Sequence, residues 1–251
     1  MLKKTLKSIL ERMGYKIVPS LPDFTQYDSD FIDIYNSCKE YTMSSIDRMY
    51  SLYQSVNYII DNNLEGDFVE CGVWRGGSAM VIAKTLLSRG IRNRKLFLFD
   101  TYEGMTEPTN EDVDKNNNNA TALLKNSNKT LGESRDSIWC IADIEDVTKN
   151  MIITGYPLEN VSFVKGKVED TLLDCNINKL SLLRLDTDWF QSTKVEMEIL
   201  FPKLIKNGVL IIDDYGHWQG AKKAVDEYFA LNKLSYLMYK IDYTGRALIK
   251  I

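Results

Sequence analysis

Apolar positions along the chain follow two patterns, a helical repeat and short continuous runs. Residues 45–64 carry apolar side chains every three or four positions, which predicts an amphipathic helix. From residue 66 onward, short apolar runs that are typical of buried strands alternate with helical repeats, and this alternation predicts an α/β fold. Its largely parallel sheet is expected to be covered by helices on both faces. The predicted strands span residues 67–73, 95–100, 161–164, 180–186 and 209–214, the predicted helices span 78–89, 192–205 and 221–231, and residues 234–239 and 246–251 are predicted to form a closing hairpin.

Two regions lie outside this alternation. Residues 1–65 are predicted to form a helical N-terminal extension that begins with an amphipathic helix over 1–18. That helix either packs on its own domain or docks on a second subunit, and the charges within it exclude a secretory signal. The main domain, residues 66–251, contains an insertion at about 102–155 where the pattern fails. Its Asn-rich segment, residues 115–119, is polar and expected to be mobile, so the insertion is predicted to be a flap rather than a separate domain.

The composition argues against some classes of protein, such as nucleic-acid-binding and membrane-spanning proteins. The chain has 251 residues, of which 44% are hydrophobic and 26% charged, as in an ordinary globular protein of one α/β domain. Its net charge of −4 argues against nucleic-acid binding. No apolar run approaches the roughly 20 residues of a membrane span. The four cysteines show no CxxC spacing, which indicates free thiols in a reducing cytoplasm.

Glycines and a carboxylate follow the first two predicted strands. Gly72, Gly76 and Gly77 lie at a strand-to-helix turn that ends on Ser78, where a ligand can approach the backbone closely. The spacing differs from the GxGxxG of dinucleotide folds, which weakens a dehydrogenase interpretation. Asp100 ends the next strand, where an acid can accept both hydroxyls of a ribose. The alternative for the glycines is a purely structural turn, and the alternative for Asp100 is an N-cap.

Acidic residues follow two later strands. Asp186 and Asp188 come after one strand, and Asp213 and Asp214 after another. Carboxylates at neighbouring strand ends repel one another unless a cation compensates, and oxygen-only ligands favour Mg²⁺ over zinc. The alternative is a set of solvated surface acids. His217, the only histidine, lies close to the second pair and is either structural or part of an acceptor pocket, as a base or hydrogen-bond partner.

Five stretches carry a resemblance to a known family: GDFVECGVWRGGSA, LFLFDTYEGM, FVKGKVEDTL, LLRLDTDWFQSTKVEMEILFPKL and GVLIIDDYGHWQGAKKAVDEYF. Together they resemble the macrocin O-methyltransferase (TylF-type) family. The resemblance implies the Rossmann-like class I methyltransferase fold, a mostly parallel seven-stranded sheet with an antiparallel C-terminal hairpin. It also implies S-adenosylmethionine as methyl donor, Mg²⁺ as a second cofactor, and a sugar hydroxyl of a natural product or glycan as acceptor.

The resemblance also implies roles for individual residues. The metal ligands would be Asp186, Asp213 and Asp214, with Asp188 close enough to be a ligand or a base. The chemistry of methyl transfer also needs a proton acceptor, and either Asp188 or His217 could be that base. The insertion would cover the active site, and the protein would form a homo-oligomer, with a dimer as the first expectation. The residues expected to bind S-adenosylmethionine are Glu70, Gly72, Gly76, Gly77, Ser78, Asp100, Val168, Glu169 and Asp186.

Two other functions remain open. The sequence Asp186-Thr187-Asp188 is formally a DxD motif, as found in metal-dependent glycosyltransferases. The glycine turn together with Asp100 fits an adenosyl ligand better. A non-catalytic cofactor-binding protein that acts on a partner is the second alternative, and the intact acidic residues argue against it.

Overall fold

In chain order, two helices precede the first strand of the sheet, and helices and strands alternate after that strand. The computed structural model describes residues 24–127 and 137–251, so the helix predicted over 1–18 lies outside the described residues. Short 3₁₀ turns span Phe24–Gln26, Lys39–Tyr41, Leu158–Asn160 and Phe201–Lys203. The helices are α1 (Ser29–Cys38), α2 (Ile46–Asp61), α3 (Gly77–Ser88), α4 (Ala120–Asn126), α5 (Ile144–Thr154), α6 (Val168–Thr171), α7 (Phe190–Ile199) and α8 (Gln219–Leu231). The strands are β1 (Asp67–Cys71), β2 (Leu96–Asp100), β3 (Val161–Lys165), β4 (Leu180–Leu185), β5 (Leu204–Ile212), β6 (Tyr239–Lys240) and β7 (Arg246–Ile249).

The seven strands form one sheet in the order β3-β2-β1-β4-β5-β7-β6. The first five pair in parallel, and β7 pairs antiparallel with both β5 and β6. The expected α/β class, the mostly parallel seven-stranded sheet and its antiparallel C-terminal hairpin are confirmed. The strand order reverses between β1 and β4, which is where open α/β sheets bind ligands at the carboxyl ends of their strands.

Hydrophobic residues fill both faces of the sheet. On one face, Phe31, Met49, Ile82 and Met151 belong to one buried cluster with residues of the sheet. The helices α1 and α2 therefore share the core of the main domain rather than standing apart from it. On the other face, α6, α7 and α8 cover a second buried cluster that includes Phe201.

The boundary between α7 and β5 differs from the sequence prediction. A helix was expected to continue to residue 205 and to end at Asn207-Gly208. Instead α7 ends at Ile199, and β5 already begins at Leu204. Pro202 lies in the intervening 3₁₀ turn, and proline lacks the amide hydrogen that would continue a helix. Asn207 lies inside β5 with a positive φ of 65°, and its amide bonds to the carbonyl of Lys250 at 2.6 Å.

The insertion has more regular structure than its sequence pattern indicates. It contains α4 and α5, and its Asn-rich segment forms a turn around Asp114. The Oδ1 atom of Asp114 accepts hydrogen bonds from the amides of Asn116 and Asn118, both at 2.8 Å. Within the described part of the chain, no helix has the length and apolarity needed to cross a membrane.

Candidate active site

A cavity of about 340 Å³ opens at the carboxyl ends of the central strands, where the strand order reverses. The turn after β1 and the acidic loops after β4 and β5 line it, together with the ends of β2 and β3 and three further segments. These are residues 41–44 with Arg48, parts of the insertion, and the hairpin tip at Tyr243 and Thr244. Of the residues predicted for the site, the cavity is lined by Gly72, Gly77, Ser78, Asp100, Val168, Glu169, Asp186, Asp188, Asp213, Asp214 and His217.

The glycine turn packs directly against one of the acidic loops. Gly72 has a positive φ of 83°, and a Cβ atom there would overlap the backbone carbonyl of Asp186. Gly76 also has a positive φ, 84°, and forms the N-cap of α3. A Cβ on Gly77 would come within 2.6 Å of the Tyr41 backbone, so this turn is closely covered on a second side. These glycines are therefore required by close approach as well as by backbone conformation.

Asp100 binds the same turn through its carboxylate. Its Oδ2 atom accepts hydrogen bonds from the amides of Val73 at 2.6 Å and Trp74 at 3.1 Å. Its Oδ1 atom accepts one from the amide of Tyr102 at 2.7 Å. Burial raises the pKa of Asp100, although these backbone hydrogen bonds act in the opposite direction. Asp100 thus fixes the turn that follows β1 while it also faces the cavity.

Glu70 lies behind the cavity rather than in its wall. It is 1% exposed, accepts a hydrogen bond from the Ser78 hydroxyl, and pairs with Arg184 across the neighbouring strand at 2.5 Å. Arg184 also reaches Asp213 at 2.7 Å and Asp186 at 2.8 Å. Glu70 therefore holds Arg184 in place, and the sequence-based role of a direct cofactor contact finds no support in this placement.

Arg184 and Arg48 together bind both oxygens of Asp213. Arg184 donates to Oδ1. Arg48, which lies in the first turn of α2, donates to Oδ2. Burial alone would raise the pKa of Asp213, but the two positive charges hold it below its usual value. Sequence reasoning missed both arginines. A single charge in the otherwise apolar strand β4, directly opposite Glu70 in register, was the available signal for Arg184.

The remaining acids of the two loops converge. Asp186, Asp188 and Asp214 each offer a carboxylate oxygen, and these three atoms lie within 4.8 Å of one another. Burial, together with neighbouring carboxylates, raises the pKa of Asp188 to about 7 and raises those of Asp186 and Asp214 well above their usual values. Among the described residues, the buried Oδ2 atom of Asp214 has no hydrogen-bond partner. The structure thus groups Asp188, rather than Asp213, with the other two predicted ligands.

This arrangement fits a hard divalent cation. Arg184 pairs with Asp186, but three carboxylates at this separation still repel one another unless further positive charge compensates them. The unpartnered oxygen of Asp214 leaves one acceptor available, and the donor set consists of oxygen atoms alone, as Mg²⁺ prefers.

His217 lines the same cavity as this acidic group, and its backbone amide donates to the carbonyl of Asp214 at 3.0 Å. Its ring meets the Trp218 ring edge-on at 4.9 Å and the Tyr243 ring at 6.0 Å. Burial lowers its pKa, so the imidazole is neutral near pH 7. Its buried Nδ1 atom has no hydrogen-bond partner in the described part of the chain. A neutral imidazole with one ring nitrogen unused is suited to accept a proton or a hydrogen bond from a bound molecule.

Glu169 and Val168 lie at the start of α6, on the side of the cavity next to Asp100. Val168 is buried, and the Oε2 atom of Glu169 is buried without a hydrogen-bond partner among the described residues. This wall offers an apolar surface with one free acceptor.

Comparison with known proteins identifies the family. The macrocin-O-methyltransferase (TylF) family matches residues 36–250. The chain is 32% identical to a demethyldecarbamoylnovobiocin O-methyltransferase of Streptomyces niveus and 31% identical to an 8-demethyl-8-(2,3-dimethoxy-alpha-L-rhamnosyl)-tetracenomycin-C 4'-O-methyltransferase of Streptomyces olivaceus. Each match covers 82% of this chain and 74% of the relative.

A solved structure agrees with this result. The O-methyltransferase NovP superposes with a TM-score of 0.71 and 29% identity, over 84% of this chain and 82% of NovP. Because the family match spans most of the chain, and because the relatives share both sequence and fold with it, the same chemistry applies here. The chain belongs to the macrocin-O-methyltransferase family, and its activity is the transfer of a methyl group to oxygen.

Proposed function

We propose that this protein transfers a methyl group from S-adenosylmethionine to a sugar hydroxyl and that the reaction depends on Mg²⁺. The acceptor is a small natural product or a glycan. The observation that carries the metal dependence is the convergence of Asp186, Asp188 and Asp214 at the floor of the cavity. The sugar acceptor is supported by the names of relatives, one of which acts on a rhamnosyl group.

The cofactor is proposed to lie along the carboxyl ends of β1 and β2. Its methionine part lies against the turn from Gly72 to Ser78, where backbone amides at the start of α3 face the cavity. Asp100 faces the ribose, and Val168 with Glu169 faces the adenine. The backbone of Asp186 touches Gly72 and its carboxylate groups with the other two acids, so Asp186 is the proposed boundary between the cofactor and the metal.

The chain's own residues supply orientation and a proton acceptor. Methyl transfer is an in-line displacement, so the hydroxyl oxygen must be aligned with the methyl carbon. A cation held by Asp186, Asp188 and Asp214 would orient two adjacent sugar oxygens and lower the pKa of the reacting hydroxyl. The neutral His217, whose Nδ1 atom is unpartnered, is the favoured acceptor of the released proton. Asp188 remains the other candidate base.

The experiment that tests this proposal measures Mg²⁺ binding, cofactor binding and methyl transfer separately. Asp214→Asn is expected to lose Mg²⁺ binding, measured by calorimetry, and methyl transfer to a panel of glycosides. Its affinity for S-adenosylhomocysteine should stay near that of the wild type, because Asp214 lies away from the glycine turn. Asp226→Asn is the matched control, since Asp226 is a partly exposed acid that pairs with Tyr215 and Lys222 at the surface. Full activity in EDTA, or in Asp214→Asn, would disprove the metal dependence.

The two other functions give opposite outcomes in one assay. Thermal stabilisation by S-adenosylhomocysteine is expected, and stabilisation by UDP with Mn²⁺ instead would support a glycosyltransferase. A protein that binds the cofactor but transfers no methyl group to any glycoside would support a non-catalytic role. Membership of a methyltransferase family favours the first outcome.

A further inference from the structure

Asp112 lies where the insertion meets the acidic loop that contains Asp188. Its side chain is completely buried. The Oδ1 atom accepts a hydrogen bond from the amide of Phe190 at 2.7 Å. The Oδ2 atom accepts two from Thr109, one from its amide at 2.6 Å and one from its hydroxyl at 2.9 Å. One carboxylate thus connects two segments that are far apart in the sequence.

The bond to Phe190 caps helix α7 from outside the helix. Phe190 is the first residue of α7, and the N-cap residue Trp189 makes no capping hydrogen bond with its side chain. A carboxylate at this position accepts an otherwise unpaired amide and interacts favourably with the helix dipole. Gly220 leaves the necessary space, because a Cβ atom there would overlap the Oδ1 atom of Asp112. The local packing is therefore built around this carboxylate.

The capped end of α7 determines where Asp188 lies. Asp188 precedes the N-cap Trp189 directly and has a positive φ of 68°, so its backbone is held in a conformation that few residues adopt unaided. The buried Trp189 ring packs edge-on against Trp218 at 4.9 Å, and its Nε1 atom donates to the carbonyl of Thr106 at 3.1 Å. Displacement of the start of α7 would therefore displace a proposed metal ligand.

The same contacts hold the insertion. Trp189 and Trp218 form a hydrophobic cluster with Ala120 and Leu124 of α4. The main-chain carbonyl of Asp112 accepts the amide of Ala120 at 2.9 Å, so the turn that the Asp112 carboxylate holds at Thr109 also supports the beginning of α4. The insertion and the acidic loop consequently share one buried attachment point.

We propose that Asp112 is a positioning residue that couples the insertion to the Mg²⁺ site through the start of α7. This inference rests on the proposed metal dependence. Residues that orient metal ligands from behind typically change metal affinity by about 10–100-fold when they are replaced. Coupling is also reciprocal, so Mg²⁺ binding at Asp188 stabilises the insertion, and the insertion strengthens Mg²⁺ binding.

Two substitutions separate the two contacts of the Asp112 carboxylate, the hydrogen bond from Phe190 and the hydrogen bonds from Thr109. Asp112→Ala removes both and is expected to weaken Mg²⁺ binding by about 10–100-fold in calorimetry, while S-adenosylhomocysteine affinity stays unchanged. Asp112→Asn retains an acceptor for the Phe190 amide but presents an amide group to the donors of Thr109. It is expected to bind Mg²⁺ almost as the wild type does. In the wild type, Mg²⁺ is expected to slow amide hydrogen exchange in α4, and this protection should be lost in Asp112→Asn.

Glu111→Gln is the matched control, because the carboxylate of the neighbouring Glu111 forms an exposed ion pair with Lys223 across the same junction. It is expected to match the wild type in both measurements. Mg²⁺ binding without protection of α4 in the wild type, or equal protection in Asp112→Asn, would overturn the coupling. Wild-type Mg²⁺ affinity in Asp112→Ala would overturn the positioning role. If that variant does not fold, Asp112→Asn decides: near-wild-type Mg²⁺ affinity with loss of the protection of α4 supports the proposal, and any other combination overturns it. No Mg²⁺ binding by the wild type would instead refute the proposed metal site itself.

Discussion

Glu196 is a completely buried acid in α7, and its replacement by glutamine is expected to change how stability depends on pH. Its Oε1 atom accepts a hydrogen bond from the Thr187 hydroxyl at 2.9 Å, and its Oε2 atom has no partner among the described residues. Burial raises the pKa of Glu196 from 4.5 to about 8, and the charges of Glu169 and Asp186 add to this effect. The folded protein therefore keeps this proton at neutral pH.

The sign and size of the effect follow from proton linkage. Below pH 4.5 both the folded and the unfolded chain carry the proton, so the contribution of Glu196 is fully present. Between pH 4.5 and about 8 only the unfolded chain releases the proton, and the free energy of unfolding falls by about 1.4 kcal/mol per pH unit. Over the whole interval the loss amounts to about 5 kcal/mol, and above pH 8 no further loss occurs.

Glu196→Gln removes this dependence and retains an acceptor for Thr187. Urea unfolding of wild type and variant at pH 5, 6, 7 and 8, in EDTA, measures the difference in free energy of unfolding. The free energy of unfolding of the variant, relative to that of the wild type, should increase by about 1 kcal/mol or more with each unit of pH. Glu198→Gln, an exposed change in the same helix, is the control and should follow the wild type. Parallel curves for wild type and Glu196→Gln would refute the reasoning.

Three further outcomes are expected. Because the pKa of Asp188 is raised to about 7, Mg²⁺ affinity measured by calorimetry should fall by up to about tenfold per unit as pH drops below 7, and a flat profile would contradict its role as a ligand. Arg184→Met leaves the buried Glu70 without its cation, removes one of the two arginines that bind Asp213, and should lower the free energy of unfolding in urea by about 3–5 kcal/mol. The exposed change Arg89→Met should cost less than about 1 kcal/mol, and equal losses would argue against a buried network. Gly72→Ala should abolish S-adenosylhomocysteine binding in calorimetry, whereas Gly90→Ala, with a similar positive φ but open space around it, should retain it.

The fold could be predicted because its signals are local. Strand β2 is a short continuous apolar run, and the alternation of such runs with helical repeats predicts a parallel sheet. Helix α5 was missed although its ends are marked by an N-cap at Asp143, acids in its first turn and Gly155 at its end. The predicted start of β5 is wrong because its first residues, Leu204 and Ile205, continue the apolar repeat of α7 although Pro202 ends the helical conformation before them.

The site could be predicted only in part. The acids directly follow the apolar runs that form β4 and β5. Because these two strands are parallel neighbours, the acids at their carboxyl ends lie close together. Which carboxylates are free depends instead on distant partners. Asp213 looks equivalent to Asp214 in the sequence, but Arg48 and Arg184 reach only the former. Arg48 lies 165 positions away along the chain, a pairing that no local pattern reveals.

The contact between Arg48 and the hairpin tip has a consequence for biosynthesis. Arg48 donates to Asp242 at 3.1 Å, Ser45 donates to the same carboxylate at 2.7 Å, and Thr244 donates to the carbonyl of Asp213 at 2.8 Å. The wall of the cavity is therefore made from an early and a late stretch of the polypeptide. During translation, the N-terminal helices and most of the sheet leave the ribosome well before the hairpin does. A nascent chain therefore has no closed cavity until residues 242–245 have emerged, and we expect a shortened product that lacks them to be inactive even with Asp186, Asp188 and Asp214 in place.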